Sequence, residues 1–309
     1  MVIKKLIYLL VVMLPGLNTM VTAQGSFWKT ANAYLGEKPP LDTPQLFAPG
    51  RLTGKDEFSI DRVAFSPDGK EIYYCTNTSW FQMKDLKVKY FKYDGKKWIG
   101  PQVLNAGFSA PTFSPDYKTL CFTGGGFGMV WRSHKADTGW SAPELYLKRN
   151  YEVYDFMPTA GGHKYVGSNG TWGKARDYNS WRFSIMPADD ADTTIQDLGS
   201  PLNSPGFNGD FFIAKDESYM IISAKEKPDF ECELYISFRK PDKTWTEPKS
   251  LGPLINNGSA HRFGASVSPD GKYLFYTHGT SAKDCAIYWV RFDALLKKLK
   301  KESLGDQAD

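Results

Sequence analysis

Phe65-Ser66-Pro67-Asp68-Gly69-Lys70 is followed by the apolar run Glu71-Ile72-Tyr73-Tyr74. The pattern returns as Phe113-Ser114-Pro115-Asp116-Tyr117-Lys118 before Thr119-Leu120-Cys121-Phe122. It returns again as Val267-Ser268-Pro269-Asp270-Gly271-Lys272 before Tyr273-Leu274-Phe275-Tyr276. Each copy predicts a strand, a tight turn and a second strand. Asp-Gly is a strong hairpin signal, because Gly tolerates a positive φ and the Asp carboxylate can bond nearby backbone N–H groups. Recurrence about every 50 residues is the mark of a repeat architecture, in which each unit buries its faces against its neighbours.

Laid against these turns, the chain divides into five units. The first runs from Phe58 to Leu104: strands over Arg62–Phe65, Glu71–Thr76 and Val88–Tyr93, then a closing segment beginning at Trp98. The second repeats the order, with Met129–His134 as third strand and a closing segment from Trp140. The third is degenerate, turning at Ala160-Gly161-Gly162, with a third strand over Trp181–Ile185 and Ile195–Leu198 in the closing place. The fourth turns at Lys215-Asp216-Glu217-Ser218, has Glu233–Ser237 as third strand, and closes from Trp245. The third and fourth depart from the motif at Gly161 and Glu217. The fifth has a third strand over Ile287–Phe292 and no closing strand of its own; a Lys-rich helical pattern, Ala294–Glu302, takes its place.

The missing strand lies at the other end of the chain. Leu41-x-x-Pro44 matches Trp98-x-x-Pro101, Trp140-x-x-Pro143 and Trp245-x-x-Pro248. The N-terminal strand can therefore complete the fifth unit and close a ring, which removes the open sheet edges that invite aggregation. The fold class expected is an all-β, five-bladed β-propeller of four-stranded blades. Trp98, Trp140 and Trp245 recur in register and are expected to pack the blades.

The first 23 residues read as a secretory signal peptide: Lys4 and Lys5, the short apolar run Leu6–Leu17, and a small-residue site at Val21-Thr22-Ala23. Residues 24–40 read as a lead-in, 41–293 as the propeller, and 294–309 as a helical and polar tail. The chain carries 38 basic and 34 acidic residues; without Lys4 and Lys5 the count is 36 against 34. Such a balance gives nucleic acid or an anionic membrane no electrostatic footing. No second apolar run is long enough for a membrane-spanning helix.

Cys75 and Cys121 lie in apolar strands and read as small buried residues. Cys232 and Cys285 occupy matching places before Leu234-Tyr235 and Ile287-Tyr288, so pairing between them is open. Neither C-x-x-C nor H-E-x-x-H spacing occurs, and no metal or other cofactor is expected. Gly124-Gly125-Gly126-Phe127-Gly128 lacks the Lys-Ser/Thr and the helix of a phosphate loop and reads as a blade-edge turn. No G-x-S-x-G nucleophile elbow is present.

With these hairpins and the aliphatic-Tyr third strands, the chain resembles exported WD40-like propeller proteins of the TolB type over residues 41–293. The resemblance implies a propeller from the bacterial envelope, periplasmic or secreted. Relatives of that fold include binding and scaffold proteins, propeller domains of peptidases, and some glycoside hydrolases and polysaccharide lyases, so fold alone does not choose among them.

In such blades the Ser-Pro-Asp-Gly turns mark the lower face. A site is therefore expected on the upper face, in the loops between second and third strands and at the starts of the innermost strands. Counting back from the turns brings Arg62, Ala110, Asp155, Asp210 and Gly264 to one position near the channel mouth, with Asp61, His261 and Arg262 close by. These charges could clamp a polar ligand or form a structural ring. Trp80 and Phe81 in the first upper loop, and Trp172, Lys174, Arg176, Asp177 and Tyr178 in the third, suit sugar stacking or peptide capture. The expected function is an exported binding or scaffold module for a glycan, a peptide or an envelope protein. The alternative is a carbohydrate-active enzyme using Asp155 and Asp210 as a carboxylate pair.

Overall fold

The computed structural model describes residues 27–80, 85–168, 182–204, 209–224 and 231–305. The signal-peptide segment, Phe81, Asn169, Trp172, Lys174, Arg176, Asp177, Tyr178 and Trp181 lie outside them. The described residues form five separate antiparallel sheets arranged in a ring, a five-bladed β-propeller. Blade one comprises Phe58–Phe65, Glu71–Asn77, Lys87–Tyr93 and Trp98–Ala106. Blade two comprises Phe108–Phe113, Thr119–Gly124, Met129–Ala136 and Glu144–Lys148, with the short Gly139–Trp140 strand beside its third. Blade three has Tyr154–Pro158, Lys164–Ser168, Arg182–Met186 and Gln196–Asp197; blade four has Phe211–Ile213, Tyr219–Ala224, Glu233–Phe238 and Lys249–Ser250. Blade five has His261–Val267, Tyr273–Gly279 and Ala286–Arg291, and takes Gln45–Leu46 as its outer strand. Gln45 opposes Trp289 and Leu46 opposes Tyr288, and the Phe47 N–H donates to the Ile287 carbonyl at 2.8 Å. The ring closes as the permuted sequence pattern requires.

The repeated turn owes its composition to one hydrogen-bond network. In blade one the Ser66 hydroxyl donates to Asp68 at 2.7 Å, Asp68 accepts the Lys70 N–H at 3.1 Å, and Ser66 Oγ accepts the Glu71 N–H at 2.9 Å. Ser114, Asp116, Lys118 and Thr119 reproduce it, as do Ser268, Asp270, Lys272 and Tyr273. Gly69 stands at φ +75°, and a Cβ there would meet the Trp28 ring at 2.9 Å. Tyr117 and Glu217 hold the corresponding left-handed place in blades two and four without being glycine, at φ 60° and 61°.

Second strands are buried along their length, Glu71–Asn77 and Lys164–Ser168 without an exposed residue, because each blade is covered on both faces by its neighbours. Aromatic side chains fill the spaces between blades. Between blades five and one, Phe47, Phe65, Phe275 and Trp289 pack as one cluster. At about 1.5–3 kcal/mol for each fully buried large apolar side chain, such joints supply much of the adhesion of the ring. Trp140 spans blades two and one, its Nε1–H donating to the Tyr73 hydroxyl at 2.6 Å; Trp245 is buried within blade four's cluster.

Residues 27–36 differ from a loose lead-in. Phe27, Trp28, Tyr34 and Leu35 are buried, and the Tyr34 ring stands 5.0 Å from Tyr273 and 5.5 Å from Trp289. Trp28 Nε1–H donates to the Pro67 carbonyl at 3.1 Å, and Trp98 Nε1–H donates to the Asn32 carbonyl at 2.8 Å. This segment is a wedge over the closing joint. All four cysteines are buried and none forms a disulfide, so Cys232 and Cys285 are not joined. The C-terminal helix, Asp293–Leu304, packs Leu295, Leu296 and Leu299 against the cluster shared by blades four and five.

Gly264 and Gly271 give a controlled pair. Both have positive φ, but a Cβ at Gly264 would lie 2.4 Å from the Asp61 carbonyl carbon, whereas at Gly271 nothing lies within 4 Å. Gly271→Ala should therefore cost about 1–2 kcal/mol, the left-handed penalty alone. Gly264→Ala should cost clearly more in urea denaturation, because backbone must move. Equal losses would show that the blade centres do not meet as described.

Candidate functional site

The innermost strands of blades one, two, three and five carry a bulge at mid-length. In blade two Ala110 and Pro111 face only Phe122, in blade three Asp155 and Phe156 face only Val166, and in blade five Gly264 and Ala265 face only Tyr276. Blade one has three residues, Asp61, Arg62 and Val63, against Tyr74. The first residue of each bulge is left-handed: Asp61 at φ 67°, Ala110 at 51°, Asp155 at 53° and Gly264 at 59°. Asp61, not Arg62, is therefore the structural counterpart of Ala110, Asp155 and Gly264. Arg62 is the additional residue. A count from the hairpin misses it, since a bulge inserts a residue without altering the turn.

That extra residue crosses the channel. The Arg62 guanidinium donates through Nη2 to Asp155 Oδ1, through Nη1 to Thr112 Oγ1 at 3.2 Å, and through Nη2 to the Phe211 carbonyl at 3.4 Å. It thus joins blade one to blades two, three and four. Asp155 Oδ2 accepts the Phe211 N–H at 3.1 Å, and Asp61 accepts the Ala110 N–H at 2.8 Å and the Arg62 N–H at 2.8 Å. The Asp61 carbonyl accepts from Thr277 of blade five at 2.7 Å. Arg62 and Asp155 are each 2% exposed. Burial outweighs the Arg62 charge and pushes Asp155 up to about 6, with the neighbouring Asp61 adding to the rise; burial raises Asp61 as well.

The other expected site residues are placed as follows. Asp210 is buried at the start of blade four, where its carbonyl accepts the Ser223 N–H at 2.8 Å. Arg262 is fully buried and donates to the carbonyls of Ile255, Cys232, Ala260, Asn257 and Gly258, so it clamps the 255–260 loop and is not presented to a ligand. His261 is buried beside Cys232, its Nδ1 3.3 Å from Sγ, and its ring lies 4.2 Å from Phe263. Trp80 is half-buried and packs on Phe58 and edge-on to His261. Trp172, Arg176 and Tyr178 lie outside the described residues. Of the two readings open for Arg62, Asp155, Asp210, His261 and Arg262, a ligand clamp or a structural ring, the burial of all five and the pairing of Arg62 with Asp155 fit the ring.

Below Arg62 the channel widens toward the hairpin face into a cavity of about 540 Å³. Arg62 and Thr112 are among its lining residues. Val63, Phe113, Met157, Phe212, Ile213 and Val267 form much of its wall, and Tyr117, Lys215, Pro269, Leu296 and Lys300 line it near the turns and the C-terminal helix. Tyr117 is a residue that takes the glycine place of the turn. Its ring lies 3.2 Å beneath Lys215 Nζ, which also donates to the Ser114 carbonyl at 3.3 Å. Glu217, the other such residue, accepts from Thr159 at 2.6 Å, Tyr165 at 3.1 Å and Arg239, stapling blade three to blade four. Neither the cavity nor Lys215 was expected from sequence. The signal available was Tyr117 in a glycine place: an aromatic side chain accepting left-handed strain at a turn has a reason to be there. Among the described residues no group of three or more His, Cys, Asp or Glu side chains is placed to hold a metal ion.

Arg62→Met should destabilise the fold by about 3–5 kcal/mol at pH 7, because it strands buried carboxylates without their cation. Asp155 is raised above its unfolded value, so its ionisation costs stability as pH rises through about 6. Without Arg62 that cost grows, so the deficit of the variant should shrink on lowering the pH from 7 to 4.5. Urea denaturation at both values measures it; a deficit independent of pH would mean that Arg62 does not compensate these carboxylates.

No protein-family model matches the chain, and no curated protein matches it. Solved structures do. TolB from Acinetobacter baumannii is 15% identical, with 74% of this chain and 53% of that chain covered and a TM-score of 0.44. Puromycin hydrolase is 13% identical over 81% of this chain and 42% of that one, with a TM-score of 0.41. The periplasmic gluconolactonase of Pseudomonas aeruginosa is 12% identical over 73% of this chain and 66% of that one, with a TM-score of 0.40. This chain spans about half the length of the TolB structure it matches. The structural neighbours include TolB-type propeller proteins, and the likeness is one of fold.

Proposed function

We propose that the protein is an exported binding propeller that receives a small, largely apolar ligand in the cavity on its hairpin face. The observation that carries this reading is the cavity itself. Its volume, about 540 Å³, falls in the range of ligand pockets, and its wall is apolar with a few polar groups. Export is supported by the N-terminal sequence, with its basic start, apolar run and small-residue cleavage site. Among the described residues no helix is long and apolar enough to cross a membrane.

Binding is favoured over glycoside cleavage by the state of the carboxylates. A general acid or nucleophile must reach the substrate. Asp155 uses one oxygen for Arg62 and the other for the Phe211 N–H, and it is buried with Asp210. Capture of a glycan, peptide or envelope protein by the opposite face is a separate proposal, and Trp80 is the residue through which it can be probed.

N-phenyl-1-naphthylamine, a neutral probe whose fluorescence rises in apolar surroundings, tests the cavity. One molecule per chain should bind saturably. Val267→Trp should abolish binding while costing no more than about 1–3 kcal/mol of stability. Absence of saturable binding, or equal binding by a folded Val267→Trp variant, would refute the assignment.

A further inference from the structure

Besides Arg62, which is paired with Asp155, two cations line the apolar cavity: Lys215 from the blade-four turn and Lys300 from the C-terminal helix. Neither has a carboxylate within ion-pair distance among the described residues, in contrast with Lys135 and Lys164, which do. Lys215 is half-buried. Its ammonium has a single carbonyl contact at 3.3 Å and the face of Tyr117 for company, which leaves donors to spare. Burial pushes it down to about 7, with Asp116 pulling the other way, the mark of a cation whose surroundings under-solvate it. Asp216 is the acidic residue of the lining. The two ammonium groups outnumber the single carboxylate of the lining, which favours an anionic head group on an apolar body.

We propose that the cavity is selective for an aliphatic monocarboxylate, its hydrocarbon body against Val63, Phe113 and Val267 and its carboxylate between Lys215 and Lys300. This rests on the binding reading above and adds the chemistry of the head group. Charged hydrogen bonds are among the strongest a ligand can make, and an apolar surround raises their worth. Holding the head group at the mouth also lets the chain of the ligand run inward toward Arg62, away from water.

The test is competition against bound N-phenyl-1-naphthylamine at pH 6, where Lys215 carries its proton and octanoate is ionised. Octanoate should bind about tenfold tighter than 1-octanol, roughly what one partly desolvated ion pair supplies. In the double variant Lys215→Met and Lys300→Met the ratio of octanoate to octanol affinity should fall to about one, whatever the shift in the affinity for the fluorescent probe. If octanol and the probe bind but octanoate has no advantage, the cavity reading stands and the head-group inference falls. If the double variant keeps the octanoate advantage, the inference likewise falls, because other groups hold the carboxylate. If no aliphatic compound binds to the wild type, both fall.

Discussion

Arg62 is the point at which the blades of this ring are tied to one another. A propeller blade adheres to its neighbours mainly through apolar faces, which are adhesive but give little direction. At the waist of the channel, direction is supplied by charge. Arg62 reaches from blade one to Thr112, Asp155 and Phe211, in blades two, three and four, while the backbone of Asp61 abuts Gly264 and accepts from Thr277 of blade five. A single inserted residue in the first bulge makes this possible. The buried charges are costly individually; Arg62 stands against both Asp155 and Asp61, and each of these carboxylates also accepts backbone N–H groups. The consequence for function is that the carboxylates of the waist are committed to holding the ring.

The hairpin face follows a different logic. Three of its turns use Ser, Asp and a backbone N–H in the same way, and these set the period of the fold. Where the glycine place is filled by another residue, the side chain has a task that glycine could not perform. Glu217 staples two blades, and hydrogen bonds from Thr159 and His163 together with the Arg239 charge outweigh its burial and hold it down to about 2. Tyr117 supports Lys215 at the rim of the cavity. Left-handed backbone at a bulky residue costs of order 1 kcal/mol, so both positions exchange a little local stability for a contact between blades or at the mouth.

Much of the fold was legible in the sequence because its determinants are local or periodic. The Ser-Pro-Asp-Gly turns, the in-register tryptophans and the match of Leu41-x-x-Pro44 to the closing segments located the blades and the N-terminal strand that completes the ring. The wedge at Trp28 and Tyr34 escaped notice, since its meaning lies in contacts with Pro67, Tyr273 and Trp289 that no local pattern reports. The site was less legible for a related reason. Counting from the turns sets Arg62 level with Asp155; the structure pairs the two, but the counterpart of Asp155 in blade one is Asp61. The same count could not see the bulge that separates Asp61 from Arg62 in role, nor that Arg262 spends its donors on the carbonyls of a loop. Burial and pairing are three-dimensional facts, and they favour the structural ring over the clamp. The cavity below it is built from residues that read individually as ordinary strand and turn.

The central claim is that the waist is a brace and that the ligand lies beneath it. A crystal structure of the protein with 8-bromooctanoate, using the anomalous signal of bromine, tests this most directly. The account predicts a bromine peak inside the hairpin-face cavity near Val63 and Phe113, the carboxylate beside Lys215, and Arg62 still paired with Asp155. A ligand bound on the opposite face, or an Arg62 that leaves Asp155 to hold the ligand, would contradict it.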